Sequence, residues 1–169
     1  MQIIQEFVDN NKEKITRDFT IIGSAPIIAA GLLDRAIPDI DLLYYEDEPW
    51  FVTYVTSGKI DFVKWNLTIM APDYMDRATL FYEYQGVKFW GISLEDCIIN
   101  KVGAYCIPKH KADVALLWPL VDKKLFFKLL EKAEARTDYY EIREAKNKRN
   151  IGEFKLDYLE DYIEHRKEI

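Results

Sequence analysis

A chain of 169 residues with 49% hydrophobic and 14% aromatic side chains has the apolar content of a globular domain, which excludes intrinsic disorder. At that length folding buries about 70% of the surface the unfolded chain exposes, so a core can hold without disulfide or metal staples. The formal charge of −6 is unevenly spread: residues 1–96 carry 8 basic and 16 acidic side chains, residues 97–169 carry 15 and 13. One end is thus suited to cations and the other to phosphate, or the two are simply a solvated mixed surface. No apolar run reaches about 18 residues, and acids and amides interrupt the opening MQIIQEFVDNNKEK, so neither a membrane span nor a signal peptide is expected. The reading is of a soluble, cytoplasmic protein. Cys97 and Cys106 lie nine residues apart in one expected helix, beyond disulfide reach, and without a CxxC pair they read as small buried side chains.

In chain order, Ile3, Ile4, Phe7, Val8 and Ile15 recur near a 3.6 period and predict an amphipathic helix over 2–17. FTIIG, ended by Gly23, predicts the first strand. APIIAAGLLDR predicts a helix with Ser24 as N-cap and Pro26 in the first turn. Pro38 breaks the chain before DIDLLYY, the second strand, and KIDFVKW at 59–65 predicts a third. TLFYEYQGVKFWGI predicts two strands joined at Gln85-Gly86. Ser93 and Asp96 resemble a capping box opening a helix to about Tyr105. Pro108 opens a segment that is helical until Pro119, and further helices are expected at 122–135, 138–148 and 153–167. This is an α+β chain: a small mixed sheet with helices on one side, spanning 1–121, followed by a helical C-terminal part, 122–169, packed on it.

The chemistry concentrates in IIGSAPIIAAGLLDRAIPDIDLLYY. On a strand, residues i and i+2 share a face, so Asp39 and Asp41 project together while Ile40 and Leu42 face a buried side. Two carboxylates held that close repel, and burial raises the cost. A divalent cation resolves the conflict, because Mg²⁺ takes one or two carboxylates plus substrate phosphates and water. Upstream, the Gly23-Ser24 turn at a helix start offers backbone N–H groups and a hydroxyl to a phosphate.

This segment resembles the signature of the DNA polymerase β-like nucleotidyltransferase superfamily, in which a hydrophobic-Gly-Gly/Ser turn precedes Asp-x-Asp/Glu. Lys101-Val102-Gly103-Ala104 and Lys109-His110-Lys111-Ala112-Asp113 resemble later motifs of its minimal, abortive-infection-toxin (AbiEii-like) type, so that the resemblance spans about residues 19–121. It implies that Gly23 and Ser24 hold a nucleoside triphosphate and that Asp39 and Asp41 bind two catalytic metal ions, Mg²⁺ or Mn²⁺. It makes Asp61 the third carboxylate, a metal ligand and the base for the attacking hydroxyl. Lys101 and Lys111 would face phosphates, with Asp113 orienting one of these lysines. The chain departs from the pattern in carrying Lys111-Ala112-Asp113 where the toxin type has Lys-Asp-x-x-Asp.

Two functions follow. The first is a metal-dependent nucleotidyltransferase moving a nucleoside monophosphate to an acceptor: RNA (such as a tRNA end), a protein hydroxyl or a small molecule. The second is a nucleotidyltransferase fold that has lost catalysis and serves as a binding module. Arg143, Lys146, Lys148 and Arg149 are either an RNA-facing surface or a solvated helix face, and Phe154, Tyr158, Tyr162 and Ile163 would pack on the body or on a second copy in a homodimer.

Overall fold

Five short β-rich runs build one mixed sheet, and the structure, a computed structural model, describes it within residues 1–45, 59–102 and 108–136. The helices expected at 138–148 and 153–167, the basic group Arg143–Arg149, and Cys106 lie outside these residues. In chain order the elements are α1 (Gln2–Asn11), β1 (Phe19–Ile22), α2 (Ala25–Ala29), β2 (Ile40–Tyr44), β3 (Ile60–Lys64), β4 (Thr79–Tyr84), β5 (Val87–Gly91), α3 (Leu94–Val102), α4 (Pro108–Leu117) and α5 (Lys123–Glu134). The strand order is β3-β2-β1-β5-β4. β1 runs antiparallel to β2 and parallel to β5, β2 and β3 are parallel, and β4 and β5 form a hairpin. Gln85 and Gly86 both have positive φ, 50° and 83°, the geometry a two-residue hairpin turn with the strands' own twist requires.

The period-two pattern sorts the core onto the two faces of the sheet. Phe19, Ile21, Ile40, Leu42, Ile60 and Phe89 pack against Ile4, Phe7 and Val8 of α1. Within that layer the Phe19 and Phe89 rings stack at 5.4 Å, and Phe7 meets Phe19 edge-on at the same distance. Ile22 and Leu43 point the other way, into a core shared with Ile98, Ile99 and Val102 of α3, Val114 and Leu117 of α4, and Phe126, Leu129 and Leu130 of α5. The architecture is the α+β sheet-and-helix arrangement read from the sequence, with α1 added on the second face. The segment 66–78, which no periodicity marks, nonetheless buries Ile69, Met70 and Ala71 between two 3₁₀ turns, Trp65–Leu67 and Tyr74–Arg77.

Two helices are shorter than expected, each for a local reason. α1 ends at Asn11, whose side-chain amide donates to the Phe7 carbonyl at 2.8 Å and competes there with the backbone. α2 stops at Ala29 because Gly31 adopts φ +74°: Gly31 N–H donates to Ile28 O and Leu32 N–H to Ile27 O, the paired closing bonds of a left-handed helix end. The chain from Gly31 to Asp39 is therefore loop, not helix. At α3, Ser93 Oγ accepts from the Asp96 N–H at 3.2 Å and donates to its carboxylate at 2.8 Å, so the box closes through the hydroxyl.

Candidate functional site

β1 and β2 are antiparallel with Ile22 opposite Asp41, so the turn after β1 and the acid at the start of β2 must meet. Gly23, in that turn, has φ +72°, and a Cβ on it would overlap the Asp41 carboxylate. Glycine is required there twice, for the left-handed backbone and for the approach of the carboxylate. Beneath the turn the buried Cys97 thiol donates to the Gly23 carbonyl at 2.9 Å, and burial pushes that thiol up to about 12.

Asp41 also lies directly across from Asp61 in the parallel β2–β3 register. Adjacent strands run about 4.8 Å apart and registered residues share a face, so the two carboxylates are neighbours. Asp39 lies just before β2, and its charge is the one that acts most strongly on Asp41. Burial first, then the charges of Asp39 and Asp61, raise the Asp41 carboxyl from 3.8 to about 6, against the pull of Lys101 and Lys109. Asp61 is exposed and Asp39 half-buried. An all-oxygen donor set under mutual repulsion is the chemistry that suits a hard divalent cation, so these residues fit Mg²⁺ or Mn²⁺. Among the described residues no three acidic, His or Cys side chains close around one point as they stand. Mg²⁺ does not demand that, because it fills the rest of its shell with water and substrate phosphates.

Behind Gly23 the charge reverses. Ser24 occupies the N-cap position of α2, yet its side chain makes no capping bond. Its Oγ instead accepts from Lys101 Nζ at 2.9 Å and from Arg35 Nη2 at 3.1 Å. Both cations also donate to Asp113 Oδ2, each at 2.8 Å. The four groups form a closed ring of hydrogen bonds that joins the β1–α2 turn, the loop after α2, α3 and α4. Burial alone would raise the Asp113 carboxyl, but the Lys101 ammonium and the Arg35 guanidinium hold it below the usual carboxylate range. Lys101 and Asp113 are each only 3% exposed, so this is a buried ion pair rather than a surface one. Because α2 spans five residues, its dipole is a small contributor; the positive potential at this turn comes from side chains.

The structure thus brings Gly23, Ser24, Asp41, Lys101 and Asp113 into contact, sets Asp61 across from Asp41, and places Lys111 exposed on α4. Lys109 precedes Asp113 by four residues and so shares its helix face, and it is the α4 lysine whose charge acts on Asp41. Sequence reasoning passed over Arg35, although it is the sole Lys or Arg between Arg17 and Lys59. A lone cation in so acidic a stretch was the available signal. A separate cavity of ≈ 440 Å³ lies along α2 and the β4–β5 hairpin, lined by Pro26, Ile27, Leu80, Phe81 and Ile92 among others. None of the aspartates or lysines of the site lines it, so the polar chemistry and the apolar hollow are distinct.

No described helix is long and apolar enough to cross a membrane. A family model described as a nucleotidyltransferase of unknown function (DUF6036) matches residues 1–167. Neither the curated proteins nor the solved structures yield a match.

Proposed function

Because the chain belongs to this nucleotidyltransferase family, we propose that it transfers a nucleoside monophosphate from a nucleoside triphosphate to an acceptor hydroxyl, with Mg²⁺ or Mn²⁺ held at Asp39, Asp41 and Asp61. The observation that carries the reading is the meeting of the Gly23 turn with Asp41, opposite Asp61, on one sheet face. In the reaction the acceptor oxygen forms a bond to the α-phosphorus as the bond to the β-phosphate bridge breaks, and pyrophosphate leaves. The cation, when bound, neutralises charge and polarises the phosphate oxygens.

The remaining work falls to the chain's own groups. The Gly23–Ser24 turn seats the polyphosphate. Lys101 is nearly sheltered from solvent, so it acts through Ser24 and through its field at Asp41 rather than by wrapping the ligand. Lys109, exposed on the face of α4 that carries Asp113, is the lysine placed to reach phosphate, alongside the Lys111 of the motif. Asp61, exposed at the strand edge, is the carboxylate open to an incoming hydroxyl and takes its proton. The toxin-type (AbiEii-like) placement rests on the residues around Lys101 and Lys111; the family match supports the broader superfamily. RNA, protein and small-molecule acceptors all follow from the same chemistry, in a cytoplasmic setting and with a monomer or homodimer as the acting form.

The test is incubation of the full chain with each α-labelled nucleoside triphosphate, Mg²⁺ or Mn²⁺, and total RNA or cell lysate. Label appearing in RNA, in protein or in a small molecule, with equimolar pyrophosphate and none with Asp41→Asn, supports the proposal. Nucleotide binding without pyrophosphate is the outcome expected of the alternative, a nucleotidyltransferase fold kept for binding.

A further inference from the structure

The Ser24 hydroxyl is over-supplied with donors. A serine oxygen has two lone pairs and one proton. Lys101 Nζ and Arg35 Nη2 occupy both lone pairs, at 2.9 and 3.1 Å. The proton is left to donate, and among the described residues it donates to nothing; nor does the side chain cap α2. With Lys101 alone, one lone pair would stay open and the hydroxyl could turn either way. Arg35 removes that freedom. It also changes the charge: one carboxylate, Asp113, faces two cations, so the ring carries a net single positive charge under the Gly23–Ser24 turn.

Arg35 differs from Lys101 in how firmly it is held. Lys101 comes from α3 and is 3% exposed, whereas Arg35 comes from the loop between α2 and β2 and is 32% exposed. Its Nε is buried without a hydrogen-bond partner among the described residues, so only Nη2 is committed. A structural staple would use the flat fork fully, as Arg77 does on Asp96 and Asp73 through Nε, Nη1 and Nη2.

We propose that Arg35 is a positioning residue for an anionic ligand, fixing the Ser24 hydroxyl as a donor and leaving the ring one positive charge in excess. The ligand class is a polyphosphate, and the assignment rests on the nucleotidyltransferase reading above. Arg35 acts through Ser24 and does not touch the reacting atoms.

Calorimetry on the full chain tests this with each nucleoside triphosphate plus Mg²⁺, and with inorganic triphosphate as a probe lacking base and sugar. Arg35→Ala should weaken both by about tenfold or more, the scale of a lost charge-assisted hydrogen bond. Millimolar methylguanidinium should restore much of the loss, which a structural defect would not allow. Arg35→Lys keeps the charge, but its ammonium stops about one bond short of where Nη2 meets both Ser24 and Asp113, so it should fold like the wild type and still bind more weakly. Triphosphate binding by Arg35→Ala within twofold of wild type overturns the role of Arg35 and leaves the nucleotidyltransferase reading intact. Full binding by Arg35→Lys likewise overturns it. A wild type that binds no nucleoside triphosphate and no inorganic triphosphate removes the underlying reading, and the proposal falls with it.

Discussion

The start of β2 and β3 and the ring behind Gly23 hold opposite charge in opposite ways. At the strand starts Asp41 and Asp61 stand in register and Asp39 adds its charge, with Asp61 exposed and Asp41 carrying a proton up to about pH 6. In the ring every acceptor of Ser24 and the shared oxygen of Asp113 is bonded, and the carboxyl of Asp113 is held low. Both regions are polar, and they adjoin at the Gly23–Ser24 turn, where Gly23 meets Asp41 and Ser24 belongs to the ring. One region ties its charges down by internal bonds and keeps a single positive charge in excess; the other holds carboxylates that no internal bond neutralises.

The largest expected effect attacks the settled region. Asp113→Ala strands Lys101 as a buried ammonium beside Arg35 and should cost about 3–5 kcal/mol, read as a lower denaturation midpoint in urea. A loss under about 1 kcal/mol would mean that the ring relaxes into water and that its tight bonding is not structural. Gly23→Ala joins the two regions in one substitution. The left-handed backbone alone costs about 1–3 kcal/mol, and the new methyl must displace the Asp41 carboxylate, so metal-dependent stabilisation should vanish along with the lost stability. If Gly23→Ala melts lower but still gains from Mn²⁺ and nucleotide as the wild type does, the contact between turn and acid carries no function.

Asp41→Asn should move the other way. The folded pKa of Asp41 is raised above its ordinary 3.8, so the folded state binds its proton more tightly and the fold loses stability as pH climbs from about 4 through about 6. Asparagine removes that loss. Without divalent metal the variant should be more stable than wild type above pH 6, by about 1–2 kcal/mol, and indistinguishable near pH 4. With metal and nucleotide at a hundred times the dissociation constant the wild type gains about 2.7 kcal/mol and the variant little. Paired melts across pH, with EDTA or with Mn²⁺ and nucleotide, report both signs. A variant less stable than wild type at pH 7 in EDTA would show that Asp41 hydrogen-bonds the backbone favourably instead of storing repulsion.

What the chain disclosed in advance followed from how local each cause is. The strand around Ile21 is a short β-rich run ended by Gly23, that around Leu42 follows the break at Pro38, and Gln85-Gly86 names its own turn, so each was legible. A period of two was read as placing Asp39 beside Asp41, but β2 begins only at Ile40, and what the register adds is Asp61 across from Asp41. The end of α2 was not legible, since LLDR following Gly31 still reads as helix and only the left-handed geometry of that glycine breaks it. Arg35 was hidden for the same reason: read as helical, it has no path to Ser24, whereas on a loop it reaches across to α4. Ser24 likewise looked like a cap until Lys101, 77 residues away, took its oxygen. Pairings at that separation leave no local trace, and the burial of Ile69 and Met70 in an aperiodic segment is hidden for the same cause.

Strand order has one further consequence. β3 ends the sheet among the described residues, so one side of its backbone has no neighbouring strand there. Such a rim is a template on which a second chain can stack and start an aggregate, and proteins guard it with charge. Lys59 and Asp61, both exposed at the head of β3, are charges of that kind. Asp61→Ala should therefore raise the tendency of copies of this chain to associate along that rim. Light scattering of concentrated samples would register that rise alongside any change in turnover.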